Sequence, residues 1–417
     1  MTLDEWLSWQ ERLHPEEIEL GLERIGQVGA RLNLLSPQAK VVTVAGTNGK
    51  GSSIAILESI VCTAGLSVGV YTSPHLLRYN ERIRINGKEA SDADLCDAFE
   101  CIDRARNGES LTYFEFGTLA ALELFRRHPL DLIVLEVGLG GRLDATNIVD
   151  ADVALITTVD LDHQSWLGES REEIGLEKAG ILRPGRPAVI GEYDPPSTVV
   201  QYARELGTPL FKVGCDFSFV VEESSWSWRE SNGRELYHLP LPALRGEVQI
   251  ANSAAVLEVI HLLGWMERVG EAQIARGVAD ATVPGRFQTI RQEPEVIMDV
   301  AHNPQAARVL AQNLASTAGN GETIAVVAML RDKEMATVVA LLAPEVDHWI
   351  VGGLQGTRGV SSEDMLKVVE SEVKDSVVDS FANVKLAYEA VLEGAKRNDR
   401  IIVFGSFHTV AAVLNTP

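Results

Sequence analysis

Val41-Val42-Thr43-Val44-Ala45-Gly46-Thr47-Asn48-Gly49-Lys50-Gly51-Ser52-Ser53 is the stretch whose reading decides the fold. β-favouring residues run into a glycine-rich turn, then Lys50, two hydroxyls and Ile54-Ala55-Ile56-Leu57-Glu58-Ser59-Ile60, whose apolar spacing predicts a helix. Strand, turn and helix in that order are the context a phosphate-binding loop needs. Glycines let backbone N–H groups crowd onto phosphate oxygens, the helix N-terminus adds partial positive charge, and Lys50 adds a full one. Ser52 can offer a hydroxyl oxygen to Mg²⁺ on those phosphates. The stretch departs from G-x-x-x-x-G-K-[ST], because position 44 is Val and Gly51 intervenes between Lys50 and the hydroxyl. Taken by itself, a strand-to-helix turn that is merely rich in glycine is the alternative.

The flanking sequence predicts an α/β protein. Helices are expected over residues 3–13 and 16–33, a short strand over 67–72, an exposed ribbon with a turn over 78–87, and helices over about 92–106 and 113–128. Asp131-Leu132-Ile133-Val134-Leu135-Glu136-Val137-Gly138 and Ala151 to Val159 are continuous apolar runs, which suit parallel strands buried on both faces. Strand 187–191 continues the alternation, 211–239 reads as antiparallel ribbon around Trp226 and Trp228, and helices return at about 249–264 and 271–280. Val283-Pro284-Gly285-Arg286-Phe287-Gln288 is the best boundary. Beyond it strands at 295–300, 323–329, 347–352, 376–380 and 400–404 alternate with helices, the pattern of a doubly wound domain. Two domains are therefore expected: residues 1–284, built on a mainly parallel sheet with the phosphate loop, and residues 285–417, a smaller Rossmann-like domain.

The 417 residues, 46% hydrophobic and 23% charged, have the composition of a globular protein. A formal charge of −22 argues against nucleic acid or an anionic membrane as partner. ATP is anionic too, so a nucleotide site must be a local positive pocket, for which Lys50, Arg82, Arg84, Arg142 and Arg286 are candidates. Cys62, Cys96, Cys101 and Cys215 form no metal-binding or disulfide framework. With no signal peptide at Met1-Thr2-Leu3-Asp4-Glu5-Trp6 and no apolar run of roughly 20 residues, a soluble cytoplasmic protein is expected.

Ser73, Glu136 and His163 each follow a predicted strand on the edge that carries the phosphate loop, where open α/β sheets bind ligands. Glu136 is a natural Mg²⁺ ligand. Ser73 before Pro74 can equally be a turn former, and His163 an ordinary hydrogen-bonding residue. Gly138-Leu139-Gly140-Gly141 lacks the third glycine and the following helix of a dinucleotide site, so its glycines are expected to admit a substrate close to the backbone. In Thr112-Tyr113-Phe114-Glu115, the aromatics fit core packing or a flat heteroaromatic ligand stacked on Phe114. Lys178 reads as a surface lysine on a helix.

These motifs with Glu177-Lys178-Ala179-Gly180, Asp299-Val300-Ala301-His302-Asn303-Pro304 and Phe404-Gly405-Ser406-Phe407-His408-Thr409, in this order, resemble the bifunctional dihydrofolate synthase/folylpolyglutamate synthase family of the Mur ligase superfamily. The shortened phosphate loop is the form that family uses. The resemblance implies that Gly49, Lys50, Gly51 and Ser52 hold ATP phosphates, and that Ser73, Glu136 and His163 ligate Mg²⁺. It implies a carbamylated Lys178 and allows a monovalent cation. Asn252, Arg286 and Asp299 are expected to contact nucleotide, the last two closing across a domain cleft. Leu22, Thr112, Tyr113, Phe114, Glu115, Asp144 and Ala145 are expected to line a dihydropteroate pocket, with His302 and Ser406 near the incoming glutamate. Gln249 stands where many relatives carry His.

The implied activity is ATP-dependent ligation of L-glutamate to dihydropteroate, and of further glutamates to reduced folates, by a monomer. Lys50, His163, Lys178 and His302 are the expected catalytic residues. An enzyme restricted to folylpolyglutamate synthesis and a P-loop switch or transport ATPase are the alternatives.

Overall fold

The same apolar runs that predict strands build the largest of three sheets in a computed structural model of the chain. The structure describes every residue except Glu17, Ala318, Asn320, Lys374, Asp375, Thr416 and Pro417. Two compact units result: Met1–Ala243 with Gln249–Thr282, and Leu244–Val248 with Val283–Pro417.

In the first unit the main sheet contains β1 (Lys40–Ala45), β2 (Val68–Tyr71), β3 (Ile83–Ile85), β4 (Lys88–Glu89), β5 (Leu132–Glu136), β6 (Val153–Ile156), β7 (Ala188–Ile190) and β8 (Leu210–Lys212). Their order is β4-β3-β2-β5-β1-β6-β7-β8. From β2 to β8 every neighbouring pair is parallel. β5 and β6 are buried along their whole length, because helices cover both faces. One face carries the helices Leu3–Gln10, Glu23–Arg31, Asp92–Arg106 and Tyr113–Arg126 over a core that includes Phe99 and Phe116. Helices Arg171–Ala179 and Ser197–Leu206 contribute Ile174, Val199 and Ala203 to the core that holds Ala154, Ile156 and Ile190. The helix Lys50–Thr63 lies against Glu271–Asp280 so closely that a Cβ on Gly277 would sit 2.5 Å from Ile60 Cα.

Two local expectations are corrected, and one strand lies where none was expected. The helix expected over 16–33 runs only from Glu23 to Arg31, and Glu17 lies outside the described residues. Arg24 Nη2 donates to Glu19 O at 2.7 Å, so a side chain occupies a carbonyl that an earlier helical turn would have used. The ribbon at 78–87 is not exposed. Tyr79, Asn80, Arg82 and Ile83 are buried, and β3 pairs antiparallel with β2 as an extension of the main sheet. Finally, β12 (Gln288–Gln292) has no apolar run to announce it.

The ribbon expected around Trp226 and Trp228 is a three-stranded antiparallel sheet of β9 (Phe217–Val221), β10 (Ser225–Glu230) and β11 (Glu235–Pro240), with both indoles buried. In the second unit, β12, β13 (Glu295–Met298), β14 (Thr323–Val327), β15 (His348–Gly352), β16 (Val377–Phe381) and β17 (Arg400–Phe404) are ordered β12-β13-β17-β14-β15-β16. All are parallel except β12, which pairs antiparallel with β13.

Candidate active site

Gly46 to Gly49 leave the end of β1 in conformations that a side chain would oppose. Gly46 has φ 152° and a Cβ there would lie 1.9 Å from Thr157 Oγ1; Gly49 has φ 87°. Lys50 opens the helix that ends at Thr63, so the loop delivers the chain to a helix N-terminus whose first N–H groups lack intrahelical acceptors. Lys50 Nζ donates to Gly46 O at 2.9 Å, which folds the ammonium over the loop. Ser52 is buried beneath it, whereas a Cβ on Gly51 would meet nothing within 4 Å. A glycine at position 51 keeps the approach to the helix terminus open.

The segment after β6 buttresses this loop. Thr47 N donates to Thr158 O at 2.7 Å, and the Thr157 and Thr158 hydroxyls donate to Asn48 O at 2.6 and 3.2 Å. Asn252 arrives from the helix Glu247–Leu262, held by its Nδ2 donating to Gln249 Oε1 at 3.0 Å. Its Oδ1 is 2.9 Å from where a Cβ on Gly49 would be. Gln249 thus orients Asn252.

Glu136 ends β5 in register with Val44 of β1, which places its carboxylate beside the start of the loop. Its Oε2 accepts from Ser73 N at 2.9 Å, so the structure joins these two predicted ligands directly. His163 has φ 51° and precedes the helix Gln164–Leu167, with its side chain 39% exposed and its N–H donating to Asp162 Oδ1 at 2.8 Å. Among the described residues, no three His, Cys, Asp or Glu groups form a cluster that could hold a metal ion. The buried carboxylate of Glu136 and the nearby Ser73 hydroxyl are hard oxygen donors, which fits a Mg²⁺ that takes one or two carboxylates and shares its shell with phosphate and water.

Lys178 is corrected from surface to interior: it is 4% exposed. Burial, aided by the positive charge of Lys50, brings its ammonium down to about 7, against the pull of Asp162 and Asp144. Lys50, Asp144, Asp162 and Lys178 therefore share one electrostatic neighbourhood. The glycines at 138–141 are also corrected, since they admit protein. A Cβ on Gly138 would lie 2.7 Å from Phe114 Cζ, and one on Gly141 would lie 2.8 Å from Glu177 O.

In the stretch 112–115, Thr112 caps the helix Tyr113–Arg126 in a reciprocal box with Glu115. Glu115, buried, also receives Arg24 Nε at 2.9 Å. Both side chains therefore position the helix start. Phe114 and Tyr113 are half-buried. The Phe114 ring lies 5.8 Å from that of Tyr71, tilted by 31°, and Tyr113 lies under the Arg82 guanidinium at 5.5 Å. Burial raises the Tyr113 phenol to about 12. Asp144, buried beside Ala145, accepts from Leu139 N at 2.8 Å, Thr146 N at 3.0 Å and Thr146 Oγ1 at 2.6 Å. Leu22 caps the helix Glu23–Arg31 half-buried. Two candidates for the positive pocket are committed elsewhere: Arg84 to Glu58 at 2.7 Å and Arg142 to Glu177 at 2.8 Å.

The second unit gathers its own set at the carboxyl edge of its parallel strands. Asp299, just past β13, accepts from Phe287 N at 2.8 Å and Ala301 N at 2.7 Å. Burial raises its carboxyl above the ordinary value, opposed by Arg286, those N–H groups and His302. Arg286 lies over the Phe407 ring at 5.4 Å, and His302 Nδ1 is 2.8 Å from Val300 O. Ser406, past β17, caps the helix Phe407–Leu414 by accepting from Thr409 N at 3.0 Å.

Sequence reasoning missed Arg24, Thr157, Thr158, Asp160, Arg171 and Glu192. Two adjacent threonines at a strand end are a weak signal for a buttress. The others have no local signal, since their partners are remote in sequence.

A family model described as Mur ligase, glutamate ligase domain matches residues 285–407. The chain is 46% identical over 412 residues to the dihydrofolate synthase/folylpolyglutamate synthase of Escherichia coli (strain K12), covering 99% of this chain and 94% of that one. The solved structure of E. coli FolC in complex with DHPP and ADP has a TM-score of 0.94 at 46% identity, covering 99% of this chain and 97% of that one. A bifunctional folylpolyglutamate synthase/dihydrofolate synthase with Mn, AMPPNP and L-glutamate bound has a TM-score of 0.91 at 46% identity, with 99% and 97% coverage.

Proposed function

The chain belongs to the dihydrofolate synthase/folylpolyglutamate synthase family of Mur ligases, and from that premise we propose how its residues divide the work of ligation. The protein is an ATP-dependent ligase that adds L-glutamate to 7,8-dihydropteroate and further glutamates to reduced folates, with a divalent metal accompanying the nucleotide. The observation that carries the assignment of roles is the meeting of loop, helix terminus, Lys50, Glu136 and buried Lys178 on one sheet edge.

A carboxylate resists an amine because it is anionic and its leaving group is poor. Transfer of the γ-phosphoryl group of ATP to the pterin substrate's carboxylate yields ADP and an acyl phosphate, which removes both obstacles. The neutral amine of glutamate attacks the acyl carbon, and the tetrahedral intermediate expels phosphate while the amine nitrogen gives up a proton. Gly49 to Ser52 hold the phosphates, and Lys50 stabilises charge on the transferring group. Mg²⁺, for which Ser73, Glu136 and His163 are the proposed protein ligands, would neutralise phosphate oxygens when bound.

Lys178 is suited to carbamylation because its ammonium is held near 7, so a neutral amine is present at physiological pH. CO₂ adding to that amine releases a proton and leaves an anionic carbamate. Such a group would help hold cations, including a monovalent one, beside the nucleotide. Asn252, Arg286 and Asp299 are assigned to nucleotide, His302 and Ser406 to glutamate. Leu22, Tyr113, Phe114, Asp144 and Ala145 are assigned to the pterin, with Thr112 and Glu115 fixing the helix that presents Phe114. Among the described residues no helix is long and apolar enough to cross a membrane, and a cytoplasmic monomer is the proposed state.

Purified protein given dihydropteroate, L-glutamate and MgATP is expected to form ADP and dihydrofolate in equal amounts. Glutamylation of tetrahydrofolate without use of dihydropteroate would restrict the activity to folylpolyglutamate synthesis. ADP without any amide product would favour a nucleotide switch.

A further inference from the structure

We propose that Glu192 and Arg171 are positioning residues for the phosphate loop, acting through the backbone of Val159 and Asp160. The proposal rests on the ligase reading above. β6 ends at Ile156, and backbone bonds from Thr157 N to Ala45 O at 2.9 Å and from Thr47 N to Thr158 O at 2.7 Å carry its pairing on to Thr158. At Val159 side chains take over. Glu192, just past β7, accepts from Val159 N at 3.0 Å through Oε1, and from Arg171 Nη2 at 3.2 Å through Oε2. Arg171 Nε in turn donates to Val159 O at 2.8 Å. One backbone residue is therefore gripped at its N–H and its C=O by two side chains that also grip each other. Arg171 Nη2 donates further to Asp194 O at 2.9 Å, which anchors the guanidinium to the chain after β7.

The next residue carries this grip to the nucleotide loop. Asp160 N donates to Thr47 Oγ1 at 3.0 Å, and the same hydroxyl donates to Asp160 O at 3.0 Å. Thr47 immediately precedes Asn48-Gly49-Lys50, whose backbone and ammonium are assigned to the phosphates. Glu192 touches none of those groups itself. Without its carboxylate, the Val159 N–H would lose its acceptor and Arg171 its nearer carboxylate, leaving Asp194 Oδ2 at 3.8 Å, so Val159 and Asp160 would shift and Thr47 with them. Displacements of about 1 Å suffice to weaken such sites by about a hundredfold. Burial also raises the Glu192 carboxyl to about 7, with Arg171 and the Val159 N–H opposing, and Asp160 and Asp194 adding to the rise.

The test is steady-state kinetics with MgATP varied at saturating dihydropteroate and glutamate. Glu192→Ala is expected to raise the KM for MgATP about tenfold while the KM for dihydropteroate stays within about twofold. Thr47→Val should do the same, and Thr47→Ser, which keeps the hydroxyl, should restore wild-type behaviour. Because both changes break one chain of contacts, the double variant should be no more than about twofold worse than the worse single. A folded Glu192→Ala enzyme with an unchanged KM for MgATP, or effects that multiply in the double variant, would overturn the proposal. If Glu192→Ala does not fold by circular dichroism, Arg171→Lys takes its place, since lysine keeps the charge but cannot bridge Val159 O and Glu192; a wild-type KM there would equally overturn it. Wild-type enzyme that forms no dihydrofolate would instead defeat the ligase reading.

Discussion

Lys50 shows how one residue can be read locally and another, Lys178, cannot. Lys50 stands in a glycine loop before a helix, and its assignment to the phosphates follows from its neighbours in sequence. Lys50→Ala is expected to lower ligation by about a hundredfold to a thousandfold, as loss of a charged donor from a preorganised site does; ADP release measures it, and near-normal turnover would remove Lys50 from the chemistry. Lys178 read as a surface lysine because the helix Arg171–Ala179 carries charged residues around it. Its burial has a signed consequence. Between the ordinary value of 10.5 and about 7, the unfolded chain binds a proton that the folded chain refuses. In CO₂-free buffer, stability contributed at this site should therefore fall by on the order of a few kcal/mol as pH drops through that window. Urea unfolding of Lys178→Met should lack this component, and parallel profiles would show that the amine is better solvated than its burial implies.

Elements were more legible than their surroundings. Ten of the helices and strands beyond residue 294 follow the alternation of apolar runs, because periodicity reports which face is buried. β12 escaped because an edge strand held by β13 needs no apolar run of its own. The helix Glu247–Leu262 was legible as a helix, yet it is buried on nearly every side, so no stripe disclosed what Glu258 faces. Glu258 is fully buried with neither carboxyl oxygen hydrogen-bonded among the described residues. Burial, with Glu230 and Asp216 adding repulsion, pushes it up to about 8. From the ordinary 4.5 to about 8 the unfolded chain releases a proton that the folded chain retains, so this group's contribution falls as pH rises across that range. Glu258→Met should flatten the urea-midpoint profile between pH 5 and 8; an unaltered slope would mean that the carboxyl finds a partner. The capped helix Tyr113–Arg126 supports a different expectation. Phe114→Ala should raise the KM for dihydropteroate by about tenfold or more while leaving MgATP within about twofold, and equal losses would count against a pterin-stacking role.

At the scale of the whole molecule, a formal charge of −22 surrounds a site that must attract a polyanion. The net field repels ATP at long range, and salt screens that repulsion over a Debye length of about 10 Å at 0.1 M. Stopped-flow association of nucleotide should accordingly quicken as ionic strength rises from about 0.01 to 0.1 M. Slower association with salt would show that the local field of Lys50 and the helix terminus dominates the approach. By itself the sequence determined the phosphate loop, the parallel strands that carry it, the alternating second domain and the family, because these rest on short-range periodicity and ordered motifs. Only the tertiary structure decided that Lys178 is buried, that Arg84 and Arg142 are tied to Glu58 and Glu177, that the glycines at 138–141 receive Phe114 and a helix, and that Glu192 braces the loop through Val159. Solvation and pairing energies depend on groups brought together from distant parts of the chain, and no window of sequence contains both partners.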